Sequence, residues 1–184
     1  MARFISDPRH QAIEKLYEIQ YCQPMYKIMF VCMGNVCRSP LAQVLLEDYI
    51  KKNGLQDKIA AESSGVNVFS EGQRACEVIR KAAAEMGVPF DHYSRRFVPS
   101  DIMEYDLILA MDNETMRRLK SFARKEPPKG EIRYFRDFDP VQDGSNEVPD
   151  PWGAFPAAPD AVAAMIDRTI EPLAEYLLKL SNAL

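Results

Sequence analysis

The chain has 184 residues, 47% of them hydrophobic, which suits one globular domain with a sizeable core. A formal net charge of −4 supplies no broad basic surface, so nucleic acid is not expected as a partner and any phosphate must be captured locally. No apolar run approaches the roughly 18 residues that cross a bilayer, and residues 1–11 lack a signal-peptide core. The expectation is a cytoplasmic protein with no membrane partner, in which four cysteines do not suggest a disulfide framework.

Residues 1–25 form an N-terminal extension, where Ala12, Ile13, Leu16, Tyr17 and Ile19 recur at helical spacing and predict an added helix. Residues 26–184 make up the domain proper. Its first apolar run, Ile28 to Val31, predicts a buried strand that ends at Cys32. From Val31 to Pro40 the chain reads Val-Cys-Met-Gly-Asn-Val-Cys-Arg-Ser-Pro. Five residues between Cys32 and Arg38 let the backbone curl into a ring. Gly34 and Asn35 tolerate the left-handed dihedrals such a turn needs, and successive N–H groups face inward. Pro40 falls where the first turn of a helix accepts proline, so the ring opens onto a helix N-terminus. Inward amides, helix dipole and guanidinium together favour the thiolate of Cys32 over the thiol. A lone cysteine after a strand is commonly a small core residue; the arginine six positions on is what marks this one as a nucleophile in an anion cradle.

Leu41, Val44, Leu45, Leu46, Tyr49 and Ile50 carry a helix away from the cradle until Asn53-Gly54 ends it. Ile59 to Ser64 predicts a second strand, ending in Ser63-Ser64-Gly65. Cys76, Val78, Ile79, Ala82 and Met86 mark a second helix closed by Gly87. Tyr105 to Met111 is a third strand, apolar on both faces and therefore interior. Asp112 or Asn113 caps the helix that carries Met116 and Leu119, and Pro127-Pro128 closes that region. Glu131 to Phe135 is a weaker fourth strand, a long loop runs from Asp137 to Pro159, and Ala161 to Leu180 is the last helix. Strands alternating with helices predict an α/β fold, an open, mostly parallel four-stranded sheet with helices on both faces. Such sheets bind ligands beyond the carboxyl ends of their strands, where Cys32 falls.

A thiolate that attacks a tetrahedral oxyanion held in such a ring, a phosphate monoester for example, expels a poor leaving group unless an acid protonates it. The long loop offers Asp137, Asp139, Asp143 and Asp150. Asp150 stands out because Pro151 stiffens the chain after it and Trp152 adds an aromatic; at Asp139-Pro140 the aromatic, Phe138, precedes the aspartate instead.

Cys32-Met33-Gly34-Asn35-Val36-Cys37-Arg38-Ser39-Pro40 resembles the signature of the low-molecular-weight protein tyrosine phosphatases. Asp150-Pro151-Trp152 resembles that family's acid loop, and Ser63-Ser64-Gly65 its Ser-Ala-Gly segment. His92 and Arg95 resemble its His-x-x-Arg, and Tyr105 to Asp112 its third strand. The likeness runs from about Tyr26 to the C-terminus. It implies a phosphomonoester hydrolase acting on phosphotyrosine in proteins or on small aryl phosphates and releasing inorganic phosphate, with no metal and no other cofactor. In it Cys32 is the nucleophile, Arg38 the bidentate phosphate clamp and Asp150 the general acid and later base. Met33, Gly34, Asn35, Val36, Cys37 and Arg38 bind the phosphate. Ser39 donates a hydrogen bond to the thiolate, and Asn35, held by Ser39 and His92, locks the strained loop. Cys37 resembles the family's second loop cysteine, which traps the oxidised nucleophile as a reversible disulfide, although packing alone would also account for it. Met33, Phe69 and Trp152 resemble the apolar walls that sandwich a phenyl ring, while Gly153 stands where the family often has a second aromatic.

Three other functions remain open on the residues alone. The related arginine phosphatases carry threonine where Val36 stands, and valine lacks the hydroxyl that orients a guanidinium substrate. A non-catalytic phosphate-binding module would lack an acid, yet Asp150 is present. A thiol redox sensor would use Cys32 and Cys37 without turnover. Arsenate reductases of the same fold need two further cysteines near one another after the loop, and here only Cys76 follows it.

Overall fold

A computed structural model of the chain describes residues 25–152 and 157–181. The helix expected around Ala12 to Ile19 lies outside the described residues. Four parallel strands, β1 (Tyr26–Cys32), β2 (Ile59–Gly65), β3 (Leu107–Ala110) and β4 (Glu131–Tyr134), form one sheet in the order β2-β1-β3-β4. Four α-helices connect and flank them: α1 (Arg38–Lys52), α2 (Glu77–Glu85), α3 (Asn113–Ala123) and α4 (Pro159–Ser181). This is the α/β architecture expected from the alternation of apolar runs.

β1 and β3 occupy the centre, and Ile28 to Val31 and Leu107 to Ala110 are almost wholly buried. Apolar side chains on both faces of a strand demand cover on both faces, and the helices divide accordingly. Ile28, Phe30 and Cys32 face one core with α1, α2 and α4; Met29 and Val31 face another with α3 and the short 3-10 turn Pro99–Met103. Phe30 meets Phe135 edge to face, ring centroids 5.8 Å apart.

The strand order reverses between β1 and β3: the chain passes from β1 outward to β2, then crosses back to the other side of β1. A crevice opens at such a switch point beyond the carboxyl ends of the strands. Cys32 closes β1 and pairs in register with Gly65 at the end of β2, while Val31 pairs with Ala110 at the end of β3. Three strand ends therefore deliver Cys32, Ser63 to Gly65 and Met111-Asp112 to one edge of the sheet.

The elements differ from expectation mainly at their ends. α3 stops at Ala123, short of Pro127-Pro128, and α2 begins one residue after Cys76. Two 3-10 turns, Pro99–Met103 and Phe135–Phe138, leave too little apolar periodicity to be read from sequence. Among the described residues no helix is long and apolar enough to cross a membrane.

Candidate active site

The loop from Met33 to Cys37 turns the chain from β1 into α1, and one residue bears the conformational cost. Asn35 alone among the described non-glycine residues has a positive φ, 55°. Gly34 was expected to share that role, but its φ is not in the left-handed region, and an added Cβ there would meet only a methyl of Val36, at 3.7 Å. Asn35 tolerates the left-handed turn because its short amide has partners on every side. Its Nδ2 donates to Ser39 Oγ (3.0 Å) and Ser63 Oγ (2.9 Å). Its Oδ1 accepts from the Arg95 backbone N–H (2.8 Å) and lies 3.1 Å from His92 Nε2, which must donate. Asn35 is fully buried, so these bonds form in a low-dielectric surrounding where each is strengthened.

Gly65 is the second requirement of the loop. A Cβ there would lie 2.8 Å from the Met33 carbonyl and 2.9 Å from the Asn35 N–H, so only glycine lets β2 pass this close. The residues after it hold the loop from below, Val66 N–H donating to the Cys32 carbonyl (3.0 Å) and Asn67 N–H to that of Met33 (2.9 Å).

Cys32 Sγ sits inside this frame and accepts two hydrogen bonds, from the Asn35 N–H at 3.2 Å and from Ser39 Oγ at 3.1 Å. Both are donors aimed at the sulfur. α1 begins at Arg38 with no side-chain cap and no acidic residue in its first turn, leaving its amide dipoles free for an anion. Arg38 is 4% exposed. Burial opposes its charge, yet Cys32, Asp112 and Asp150 around it hold the guanidinium above its ordinary pKa. Its Nη1 donates to Asp112 Oδ2 (2.6 Å) and to the Val148 carbonyl (3.1 Å), and its Nη2 to Asp150 Oδ2 (3.3 Å).

Asp112, legible in the sequence only as a helix cap, also reaches the site. It does cap α3, Oδ1 accepting from the Thr115 N–H at 2.7 Å, and its other oxygen orients Arg38. Burial raises its pKa, but the bonds from Thr115 and the charge of Arg38 outweigh that and leave it below the usual carboxylate range. Its position just past a buried strand, at a sheet edge shared with Cys32, was the available signal.

Of the four loop carboxylates, Asp150 reaches the cradle and is half exposed. The Trp152 N–H donates to its Oδ1 (3.1 Å) and the Ala157 N–H to its carbonyl (2.8 Å), a local turn that aims the carboxyl inward. Asp139 has another task. It is buried and paired with Arg136 (3.1 Å) and Arg168 (2.8 Å), pinning the Phe135–Phe138 turn to α4. Asp137 pairs with Arg133 and Asp143 with Arg136.

A cavity of about 540 Å³ opens above the loop, with Cys32, Arg38 and Asp150 in its lining. Met33, Phe69 and Trp152, the expected walls, line it too, joined by Val78. Phe69 is fully exposed and Trp152 61% exposed. His92 touches the site only through Asn35; burial lowers its pKa against the pull of Asp91.

Cys37 corrects an expectation. It is disulfide-bonded to Cys76, and Cys32 is the free cysteine among the described residues. The backbone explains the encounter: the Cys76 N–H donates to the Val36 carbonyl at 2.7 Å, seating the residue before α2 against the loop. A bonded Cys37 has no thiol with which to trap Cys32.

The chain is similar to known proteins both in sequence and in fold. The family model described as low molecular weight phosphotyrosine protein phosphatase matches residues 27–182. A low molecular weight protein-tyrosine-phosphatase of Streptomyces coelicolor is 34% identical over 128 residues, 69% of this chain and 78% of that protein. The crystal structure of YfkJ from Bacillus subtilis superposes with a TM-score of 0.77 at 31% identity, covering 84% of this chain and 96% of the other. A Drosophila arginine phosphatase shares the fold, with a TM-score of 0.74 at 24% identity over 82% of this chain and 97% of that one.

Proposed function

Since this chain belongs to the low molecular weight phosphotyrosine protein phosphatase family, a family of hydrolases, we propose that it removes phosphate from phosphotyrosine in proteins through a cysteinyl-phosphate intermediate, with residues 26–184 as the catalytic domain. The observation that carries the proposal is the convergence on one sulfur: two hydrogen bonds to Cys32, with Arg38 and Asp150 facing the same cavity.

A phosphoryl group seated over the loop takes its non-bridging oxygens to the backbone amides of Met33 to Cys37 and to the planar fork of Arg38. Asp112, bonded to Nη1, fixes the plane of that fork. Cys32 attacks phosphorus in line with the leaving oxygen, and Asp150 supplies the proton that oxygen needs. In the second step Asp150, now a carboxylate, takes a proton from water as it attacks the cysteinyl phosphate. Ser39 stabilises the departing thiolate through the bond it already makes. Both displacements use only side chains of this cavity, and the cytoplasm, which keeps Cys32 reduced, is the setting this chemistry suits.

Phosphotyrosine is favoured by the mouth of the cavity. Phe69 and Trp152 hold large apolar faces in water, and a phenyl ring between them would cover both. Val36 offers no hydroxyl to a guanidinium. The test is hydrolysis of para-nitrophenyl phosphate and of matched phosphotyrosine and phosphoarginine peptides. Activity is expected to survive EDTA, to vanish in Cys32→Ser and to prefer the tyrosine peptide; turnover by Cys32→Ser refutes the mechanism, and preference for phosphoarginine refutes the substrate.

A further inference from the structure

Cys76 has no part in the chemistry above, yet three of the chain's four cysteines, Cys32, Cys37 and Cys76, line one cavity; the fourth, Cys22, belongs to the N-terminal extension. Cys37 and Cys76 are bonded, their Cα atoms 5.5 Å apart, and are 3% and 8% exposed. Cys37 stands two residues before Ser39, whose hydroxyl touches the Cys32 sulfur. Both sulfurs of that disulfide thus share the cavity with the nucleophile, and Cys37 belongs to the loop that frames it.

From this arrangement we infer that the three cysteines form a thiol relay: an oxidising equivalent taken up by Cys32 passes through Cys37 and comes to rest as the Cys37–Cys76 disulfide, which returns Cys32 to its working form. The inference rests on the proposed function only in taking Cys32 as a thiolate nucleophile. The oxidant is a hydroperoxide. In the first step the Cys32 thiolate attacks one peroxide oxygen, the O–O bond breaks, and Cys32 sulfenic acid and hydroxide result. Next the Cys37 thiol attacks that sulfur, an S–S bond forms and water leaves. The hydroxide then takes the Cys76 proton, and the Cys76 thiolate attacks Cys37 Sγ and expels the Cys32 thiolate. With hydrogen peroxide the sum is two thiols oxidised to one disulfide and the peroxide reduced to two waters.

Two features set the direction. Exchange releases the sulfur that is the better leaving group, and Cys32 leaves as an anion already hydrogen-bonded by the Asn35 N–H and Ser39. Cys76 immediately precedes the first residue of α2, where helix amides favour its attacking thiolate. The resting disulfide also joins the loop to the segment carrying Val78, one wall of the cavity.

The experiment begins with fully reduced full-length protein, freed of reductant and given hydrogen peroxide in slight excess. Free thiols are alkylated at intervals and the disulfides mapped by mass spectrometry, a readout that needs no phosphatase substrate. Wild type is expected to show a transient Cys32–Cys37 species, then Cys37–Cys76 with Cys32 and Cys22 free, and to keep most of its starting hydrolytic activity. Cys76→Ser is expected to stop at Cys32–Cys37 and to lose nearly all activity until reductant is added. Cys32→Ser is expected to form Cys37–Cys76 far more slowly, because the peroxide-reactive sulfur is gone. Equal rates in Cys32→Ser and wild type, or a stable Cys32–Cys37 or Cys22-containing bond in wild type, overturn the relay. Hydrolysis persisting in Cys32→Ser would instead overturn the proposed function.

Discussion

Replacing Asn35 with alanine and, separately, with glycine divides the stability of the loop into a hydrogen-bonding part and a backbone part. Either change removes four partners at once: Ser39, Ser63, His92 and the Arg95 N–H. Leaving a buried group without its partner costs about 1–3 kcal/mol, and an ordinary bond contributes about 0.5–1.5 kcal/mol net. Because the buried Asn35 Oδ1 that accepts from the Arg95 N–H is removed, a loss of about 3 kcal/mol is expected in both variants. At φ 55° alanine adds strain of about 1–2 kcal/mol, whereas glycine adds none but gives up about 0.4–1 kcal/mol through the freedom of its unfolded chain. Strain wins, so alanine is expected to be less stable than glycine by about 0.5–1 kcal/mol. With about 3.5–5 kcal/mol lost in all, at about 2–4 °C per kcal/mol for a chain of this size, both melt roughly 7–20 °C below wild type, alanine lowest. Urea unfolding followed by circular dichroism measures the difference, provided the three slopes agree. If alanine proved as stable as glycine, Asn35 would not be held in a conformation it resists, and the account of the loop would fall.

Three further outcomes test the neighbouring residues. Asp150→Ala is expected to lower kcat on an aryl phosphate by about 10²–10⁴, whereas Asp139→Asn, which breaks a buried pair outside the cavity lining, is expected to lower the melting temperature instead; an unchanged rate in Asp150→Ala would move the acid elsewhere. Asp112→Asn keeps the α3 cap but loses the charge on Arg38, so inhibition by inorganic phosphate is expected to weaken about tenfold, the equivalent of one charge-assisted hydrogen bond. Equal inhibition constants would deny Asp112 its orienting role. Because burial lowers the pKa of His92 in the folded state from an ordinary 6.5, the unfolded chain binds that proton first. The stability this represents is complete above about pH 6.5 and is lost as the pH falls through the folded value. His92→Gln, which retains an N–H donor toward Asn35, is expected to flatten the fall in unfolding free energy between pH 7.5 and 5, and parallel curves for the two proteins would contradict it.

How far the site could be read in advance depends on the range of each interaction. Cys32, Arg38 and Ser39 were legible because six or seven positions span one turn from strand to helix, and the residues that make that turn lie between them. Asp150 was legible through its immediate neighbours, Pro151 and Trp152. Asp112 lies 74 positions from Arg38 and was visible only as a cap, the one role its neighbours in sequence reveal. The same limit hid Cys76, since its segment reads as the start of an amphipathic helix until the backbone bond to Val36 brings it against the loop. Gly34 was misjudged for a related reason. Both it and Asn35 suit a left-handed turn, and the choice fell to the residue whose side chain finds Ser39, Ser63, Arg95 and His92.

Short-range physics left its mark in the order of the residues: the alternation of strands and helices, the ring between Cys32 and Arg38, and a candidate acid marked by proline and an aromatic. Which distant groups complete the site depended on packing. The reversal of strand order beside β1 puts Asp112 on Arg38, and the passage of Gly65 beneath the loop lets Ser63 reach Asn35. The same packing sends Asp139 to Arg168, away from the chemistry, and brings Cys76 to Cys37 in place of Cys32. Those pairings depend on where strands end in space, and residues tens of positions apart carry no local signal of sharing an edge of a sheet.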